Sequence, residues 1–447
     1  MAIMKPNKHI VFQGKENIEK ERNRNFLKTI KLVSMYHPAY QRLANMHGLN
    51  LENFEQLSDL NTLPITHKSD YMENPEDYRL NNSNLCDEEK ILWDVMHTTG
   101  TTTGKPTPFY STTYDFYRIL ELQQGMLLLR GVQGDDLIAN LFPLTIWPHG
   151  AYTRVPHAAA AMKIPVVNVL PGNPSPFFSH GSSLDESISI IEKVNATILW
   201  GVPSFIRRLL IRATELGADF QKVRQVFMTG EPSSEPLRQD LKERLLILGA
   251  SKVFISLSYG ATEFQGGMVE CAEGSGYHNP APNQFRIDVV DPDTHKPLED
   301  GELGLVTLTH VDRRGTVLLR YSLGDISKLS STSCSFCGSE TERLLEIPRR
   351  IDNLVKIKGT LVNPAIFEEI LLSQTQITEW QILIEPSNPN DKFSPDKLIV
   401  KVAGNPGNIQ TTIKKTTGIT AEIQKVEPDQ IYNPGKTLKN RRIIDKR

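Results

Sequence analysis

No run of roughly eighteen apolar residues occurs in this sequence, so no transmembrane helix is expected. Cysteine is scarce: four among 447 residues, too few and too scattered for a disulfide framework. A charge of one sign is missing as well. Fifty basic side chains face fifty-two acidic ones, a net charge of −2, and such a chain has no global field to gather nucleic acid or a membrane surface. The N-terminal MAIMKPNKHIVFQGKENIEKERNRNF lacks the apolar centre of a secretory signal, so a cytoplasmic setting is expected. Internal repeats and low-complexity segments are absent. What remains is ordinary soluble composition, 39% hydrophobic and 23% charged, in a chain long enough for two or three domains with sizeable cores.

Residues 15–60 read as helical and charged, with Phe26, Ile30, Leu32 and Val33 as their apolar positions. From about residue 114 strand-like runs alternate with amphipathic helical stretches. The runs are DLIANLFPL (136–144), IPVVNVLPG (164–172), ATILWGVP (196–203), QVFMTGEP (225–232) and KVFISLSYG (252–260). Strands that alternate with helices and end in glycine, proline or polar loops imply parallel α/β sheets, and ligands of such sheets bind at the C-terminal strand edges. The loops GVPS, GEPS and YGATE lie at such edges. From about residue 285 short strands and Asp/Pro/Gly turns indicate a β-rich segment. After RRIDNLVKIKG a small α+β unit reads strand, helix, strand, strand, helix, strand. In its first helix Asn363 caps, Pro364 takes the first helical position, and Ile366, Phe367, Ile370 and Leu371 form the apolar stripe. The fold class is therefore α/β: a large N-terminal domain, 1–351, of parallel-type α/β sheets plus a β-rich subdomain, and a small C-terminal domain, 352–447.

HTTGTTTGKP (97–106) can neither bury itself nor propagate a helix easily. It offers hydroxyls and backbone N–H groups, and its glycines allow close approach to phosphate oxygens. It is not a Walker A loop: three residues separate Gly100 from Gly104, and Pro106 follows Lys105 where a hydroxyl should hold magnesium. Its companions are YGATE (259–263), whose carboxylate suits Mg²⁺, and YSLGD (321–325), whose aspartate suits ribose hydroxyls. RRIDNLVKIKG (349–359) stands at the domain junction, and the tail is basic, NPGKTLKNRR (433–442).

In this order and at these separations the set resembles the adenylate-forming superfamily, most of all phenylacetate-CoA ligases and their relatives. The resemblance runs from LPITHKSDY (63–71) to the C-terminus. It implies an enzyme that activates a carboxylic acid with ATP as an acyl-adenylate, releases pyrophosphate, and passes the acyl group to coenzyme A. It also implies roles. Thr98, Thr99, Gly100, Thr101, Thr102, Thr103, Gly104 and Lys105 would hold the β/γ-phosphates. Gly230, Glu231 and Pro232 would line adenine, and Tyr259, with Gly260 and Ala261, would lie beside adenine and the acyl group. Thr262 would contact the α-phosphate, Glu263 would bind Mg²⁺, and Asp325, assisted by Arg350, would take the ribose. The small domain would be mobile about a hinge at Asp352. The KIKG loop, Lys356 to Gly359, would line the pantetheine tunnel. The tail lysine of adenylation is Lys439 by register from RRIID, in preference to Lys436. YSLGD lacks the family's arginine after the tyrosine.

Cys334 and Cys337 form CSFCG, while Cys271 and His278 form CAEGSGYH just after YGATE. Four ligands in two pairs suit a structural, tetrahedral zinc, and the CxxC lacks the βαβ context of a redox motif. In LFPLTIWPHGAY (141–152), Phe142, Trp147, His149 and Tyr152 could enclose an aromatic or other apolar acid, although Phe142 and Trp147 read equally well as core. Transfer to a carrier protein or an amine in place of coenzyme A stays open, as does a homodimer. Neither nucleic acid nor membrane is an expected partner.

Overall fold

The computed structural model describes residues 8–81, 85–98, 106–144, 150–172, 181–231, 233–350, 355–357, 360–362, 364–374, 376–388, 396–433 and 440–446. The chain divides into two compact units, each assembled from separated segments. One comprises Met1–Asp136, Trp147–Pro165 and Ser256–Ile351; the other comprises Leu137–Ile146, Val166–Ile255 and Asp352–Arg447.

In the second unit, strands Val166–Asn168, Ile138–Asn140, Ile198–Gly201 and Gln225–Met228 lie side by side and parallel, with Ile138 opposite both Val166 and Ile198, and Ile198 opposite Gln225. The three strands from Ile138–Asn140 onward are buried throughout, as expected of parallel strands covered on both faces. Each strand is shorter than the apolar run that announced it, because residues such as Leu141 and Phe142 continue as buried loop. The intervening helices carry their own start and stop signals. Helix Leu184–Val194 opens on a Ser183/Glu186 capping box and stops at left-handed Asn195; Pro203–Leu216 opens on Pro203 and stops at left-handed Gly217.

The same unit holds a four-stranded sheet in the order Glu422–Lys425, Asp396–Gly404, Ile377–Pro386, Ile443–Asp445. Its central pair is antiparallel and both outer pairings are parallel. Phe367, Ile370 and Leu371 of helix Ala365–Leu372 pack with Ile382, Val400 and Ile413 in its core, with Ile366 against the edge, so the apolar stripe is as expected. The helix starts one residue late, since Pro364 is its N-cap. Asn363 is outside the described residues. Lys356 lies in a strand, Val355–Ile357, paired antiparallel with Thr360–Val362, and not in a loop.

The first unit is antiparallel. Strands Phe285–Val290, Leu303–His310, Tyr321–Ser330, Arg343–Leu344, Tyr277–His278 and Gly266–Val269 follow one another across the sheet. Strand Phe254–Ala261, in this unit from Ser256 onward, runs antiparallel to Gly266–Val269, where a purely parallel series would have had no such neighbour. Helicity in 15–60 is interrupted. Helices Lys15–Tyr36 and Pro38–Met46 are separated at His37, because Pro38 cannot supply the N–H that a continuous helix needs, and only 3₁₀ turns follow.

Candidate functional site

Register places Asp325 opposite Arg350 on neighbouring strands. The Tyr259 hydroxyl donates to Asp325 Oδ2 at 2.6 Å, and Arg350 Nε lies 3.4 Å from Oδ1. Half of the Arg350 side chain meets solvent, so that ion pair alone adds little. The tyrosine bond is the firmer one: burial first, and the Asp325 charge second, raise the Tyr259 pKa well above its ordinary value, and the phenol stays a donor. Arg350 also donates through Nη1 to the Leu323 carbonyl at 2.7 Å. Gly324, at φ +75, sits beneath it; a Cβ there would stand 2.6 Å from Arg350 Nη1. The glycine of YSLGD thus leaves room for the Arg350 guanidinium.

Strand Phe254–Ala261 runs into a 3₁₀ turn, Thr262–Phe264, closed by left-handed Gln265. The Glu263 carbonyl accepts from His310 Nε2 at 3.1 Å, and His310 Nδ1 accepts the Leu318 N–H at 3.0 Å. Burial first, then Arg313, push the His310 pKa well below its usual value, and the imidazole remains neutral with its tautomer set by these two bonds. Nothing among the described residues pairs with the Glu263 carboxylate. Gln265 extends the network: its Oε1 accepts from buried Arg154, which also donates to Asp94 at 2.9 Å. Sequence reasoning missed His310, Gln265 and Arg154. Gln265 alone left a trace, as the residue two places beyond YGATE.

The threonine/glycine loop springs from a hairpin in which His97 faces Pro108. Thr98 N–H donates to the Thr107 carbonyl at 3.0 Å, and the Thr98 hydroxyl accepts from Thr107 N–H at 3.1 Å. The Thr98 hydroxyl therefore accepts a bond that closes the hairpin. Thr99, Gly100, Thr101, Thr102, Thr103, Gly104 and Lys105 lie outside the described residues, as do Pro232, Asp352, Gly359, Lys436, Lys439, Trp147 and His149. Phe142 is a core residue, 1% exposed. In the second unit, Gly230 takes φ +94, and the Glu231 carboxylate accepts from Ser204 and from the Asn440 backbone.

The four soft ligands do come together. Cys271 Sγ and Cys334 Sγ are 3.8 Å apart, Cys337 Sγ and His278 Nε2 are 3.8 Å apart, and all four ligand atoms lie within 4.8 Å of one another. Zinc–sulfur bonds of about 2.3 Å at tetrahedral angles require an edge of about 3.8 Å, so the cluster fits such an ion. His278 Nδ1 is 3.3 Å from the Thr341 hydroxyl, which orients the ring from behind. A hydrogen bond with Cys337, then burial, push the Cys271 thiol up to about 12, and the same bond lowers Cys337.

Asp325 beside Tyr259 and Arg350, and Glu263 at the end of a strand, are groups that a nucleotide-using enzyme can employ, and the chain is similar to adenylate-forming enzymes. The AMP-binding enzyme family matches residues 157–310. Among particular relatives, the chain is 26% identical to a phenylacetate-coenzyme A ligase of Thermus thermophilus, over 79% of this chain and 75% of that protein. It is 24% identical to the Escherichia coli phenylacetate-coenzyme A ligase, over 82% and 77%. A solved 2-hydroxyisobutyryl-CoA ligase in the postadenylation state shares the fold at TM-score 0.78 and 18% identity, over 97% of this chain and 91% of that one.

Proposed function

We propose that the protein is an AMP-forming acid–thiol ligase acting on an aryl or arylacetic acid. A carboxylate oxygen attacks the α-phosphorus of ATP, and pyrophosphate leaves with the electron pair of the broken P–O bond. The coenzyme A sulfur, its proton lost, then attacks the acyl carbon, and AMP leaves as the C–O bond breaks. Charge develops on phosphoryl oxygens, so positioning and cations carry most of the catalysis. The observation that carries this reading is Asp325, fixed between the Tyr259 hydroxyl and Arg350 on a strand of the same unit as YGATE, where its carboxylate would meet a ribose diol. The aryl preference draws on the named phenylacetate ligases.

Residue roles follow the family's pattern. Asp325 and Arg350 hold the ribose, Thr262 contacts the α-phosphate, and Lys105 with its threonines holds the outer phosphates. Lys439 serves adenylation and Gly359 leaves room for pantetheine. Glu263 would hold Mg²⁺, which lowers the charge of the phosphates. Cys271, His278, Cys334 and Cys337 would hold a structural zinc that joins the segment after YGATE to the segment after YSLGD, and in a cytoplasmic setting their thiols stay reduced. No helix among the described residues is long and apolar enough to cross a membrane.

The test is pyrophosphate release over a library of carboxylic acids, with coenzyme A added in a second round. Aryl or arylacetic acids should lead, and coenzyme A should raise turnover. Release that responds only to an amine or a carrier-protein thiol would replace the acceptor. Selection of short aliphatic acids would replace the acid.

A further inference from the structure

We infer that Glu231 is a positioning residue that latches the C-terminal tail for the first half-reaction, an inference that rests on the two-step ligase reading above. Glu231 follows strand Gln225–Met228 and the positive-φ Gly230. Its Oε2 accepts the Ser204 N–H at 3.0 Å; its Oε1 accepts the Ser204 hydroxyl at 2.8 Å and the Asn440 N–H at 2.7 Å. Ser204 stands in the first turn of the fourteen-residue helix Pro203–Leu216, where the free N–H groups and the helix dipole favour a carboxylate. The carboxylate is therefore a fixed post, and the Asn440 N–H is the part of the tail tied to it.

The residue gripped follows Lys439 directly in the chain. Beyond it the tail is bound to its own sheet. Glu379 Oε2 accepts from Asn440 Nδ2 at 3.0 Å and from Arg442 Nη1 at 2.7 Å. Arg442 also donates to the Trp380 carbonyl at 2.9 Å and lies 4.6 Å over the Trp380 ring. Ile443 pairs with Ile382 in parallel register. The tail from Asn440 thus travels with strand Ile377–Pro386 as one body. Glu231 ties that body to the helix Pro203–Leu216. Two neighbours on the helix reinforce the tie: Arg207 donates to the Ile377 and Thr378 carbonyls at 2.9 and 2.8 Å, and Arg208 reaches Asp429 at 2.6 Å.

The bond pattern suits a latch that can open. When the Asn440 N–H leaves, Glu231 keeps both Ser204 donors and the helix terminus, so no buried carboxylate is left bare. The donors released are one backbone N–H and the arginine side chains, all of which water satisfies. A tail that must serve adenylation and then withdraw for thioester formation requires this asymmetry, with one firm anchor and a small set of detachable contacts.

The experiment separates the half-reactions in Glu231→Gln and Glu231→Asp. Acid-dependent ATP–pyrophosphate exchange reports the first, and conversion of supplied acyl-adenylate with coenzyme A reports the second. Loss of a contact that sets the origin of Lys439 should lower kcat for exchange by about 10-fold to 100-fold in Glu231→Gln, as for a misplacement on the order of 1 Å. KM for ATP and the second half-reaction should change far less than kcat for exchange, and Glu231→Asp should recover part of the exchange rate. Equal losses in both half-reactions, or a raised KM for ATP at unchanged kcat, would overturn the latch and make Glu231 an adenine contact. Amide exchange at Asn440 gives a readout independent of activity. The amide should be protected in wild-type protein and should exchange faster in Glu231→Gln, while the amides of Ile443 and Ile444 stay slow. No difference at Asn440 would overturn the latch even if the variants are inactive. Wild-type protein that exchanges pyrophosphate with no acid, yet shows this protection, would instead count against the ligase reading.

Discussion

Asp325 and Glu263 are both carboxylates, yet their surroundings assign them different work. Asp325 is nearly buried and already receives a phenol hydroxyl, so its orientation is set before a ligand arrives. Glu263 is held through its backbone carbonyl by His310, and its side chain is the carboxylate proposed for the magnesium ion. Glu263→Gln should therefore abolish magnesium-dependent pyrophosphate release while the melting temperature stays within about 2 °C of wild type, as for a partly exposed site that anchors no core. Near wild-type release would remove Glu263 from the metal site. Buried imidazoles make a second prediction at this scale. Burial lowers the His37 pKa to about 4, and His37 Nδ1 accepts the Tyr40 N–H. Between about 6.5 and 4 the unfolded chain takes up a proton that the folded one refuses, so the contribution of His37 is complete above about pH 6.5 and declines as pH falls towards 4. Thermal scans should show stability falling across that window, less steeply in His37→Gln. An unchanged slope would mean that other groups govern acid unfolding.

Strands and loops show how far the sequence is legible. Helices Leu184–Val194 and Pro203–Leu216 fill the amphipathic stretches between the strand-like runs, and the structure adds their caps at Ser183, Pro203 and Gly217. The strand runs are overcalled, because Leu141 and Phe142 are as buried in a loop as they would be in a strand. His310 could not be seen in advance: its partner Glu263 is forty-seven positions away, and only the antiparallel register brings the two together. The metal cluster is the opposite case, since CxxC and C-x₆-H name their own ligands and the sheet needs only to join Tyr277–His278 to Arg343–Leu344. Elemental analysis should find about one zinc per chain. Chelation or Cys337→Ser should lower the melting temperature markedly, since metal binding of this kind is folding free energy, while the folded fraction keeps a near-normal KM for ATP. Active protein without zinc, or with a Cys334–Cys337 disulfide, would contradict the metal assignment.

At the scale of the whole molecule, composition excludes more than it identifies, and the ordered series of motifs points to the chemistry. The interleaving of the two units is invisible in the sequence, because segments such as 137–146 and 352–447 join through contacts and not through chain order. Two half-reactions in one protein should separate genetically. Lys439→Ala should lose acyl-adenylate formation and still convert supplied acyl-adenylate, while Gly359→Trp should do the reverse. An adenylation defect in Lys436→Ala, with Lys439→Ala intact, would shift the tail register by three residues. The central claim is that the acid is activated through AMP. The direct measurement is mass spectrometry of single turnovers with ATP, magnesium and a cognate acid, first without and then with coenzyme A. The account predicts pyrophosphate and a retained acyl-adenylate in the first mixture, then AMP and acyl-CoA in the second. ADP and orthophosphate in place of pyrophosphate and AMP would contradict it.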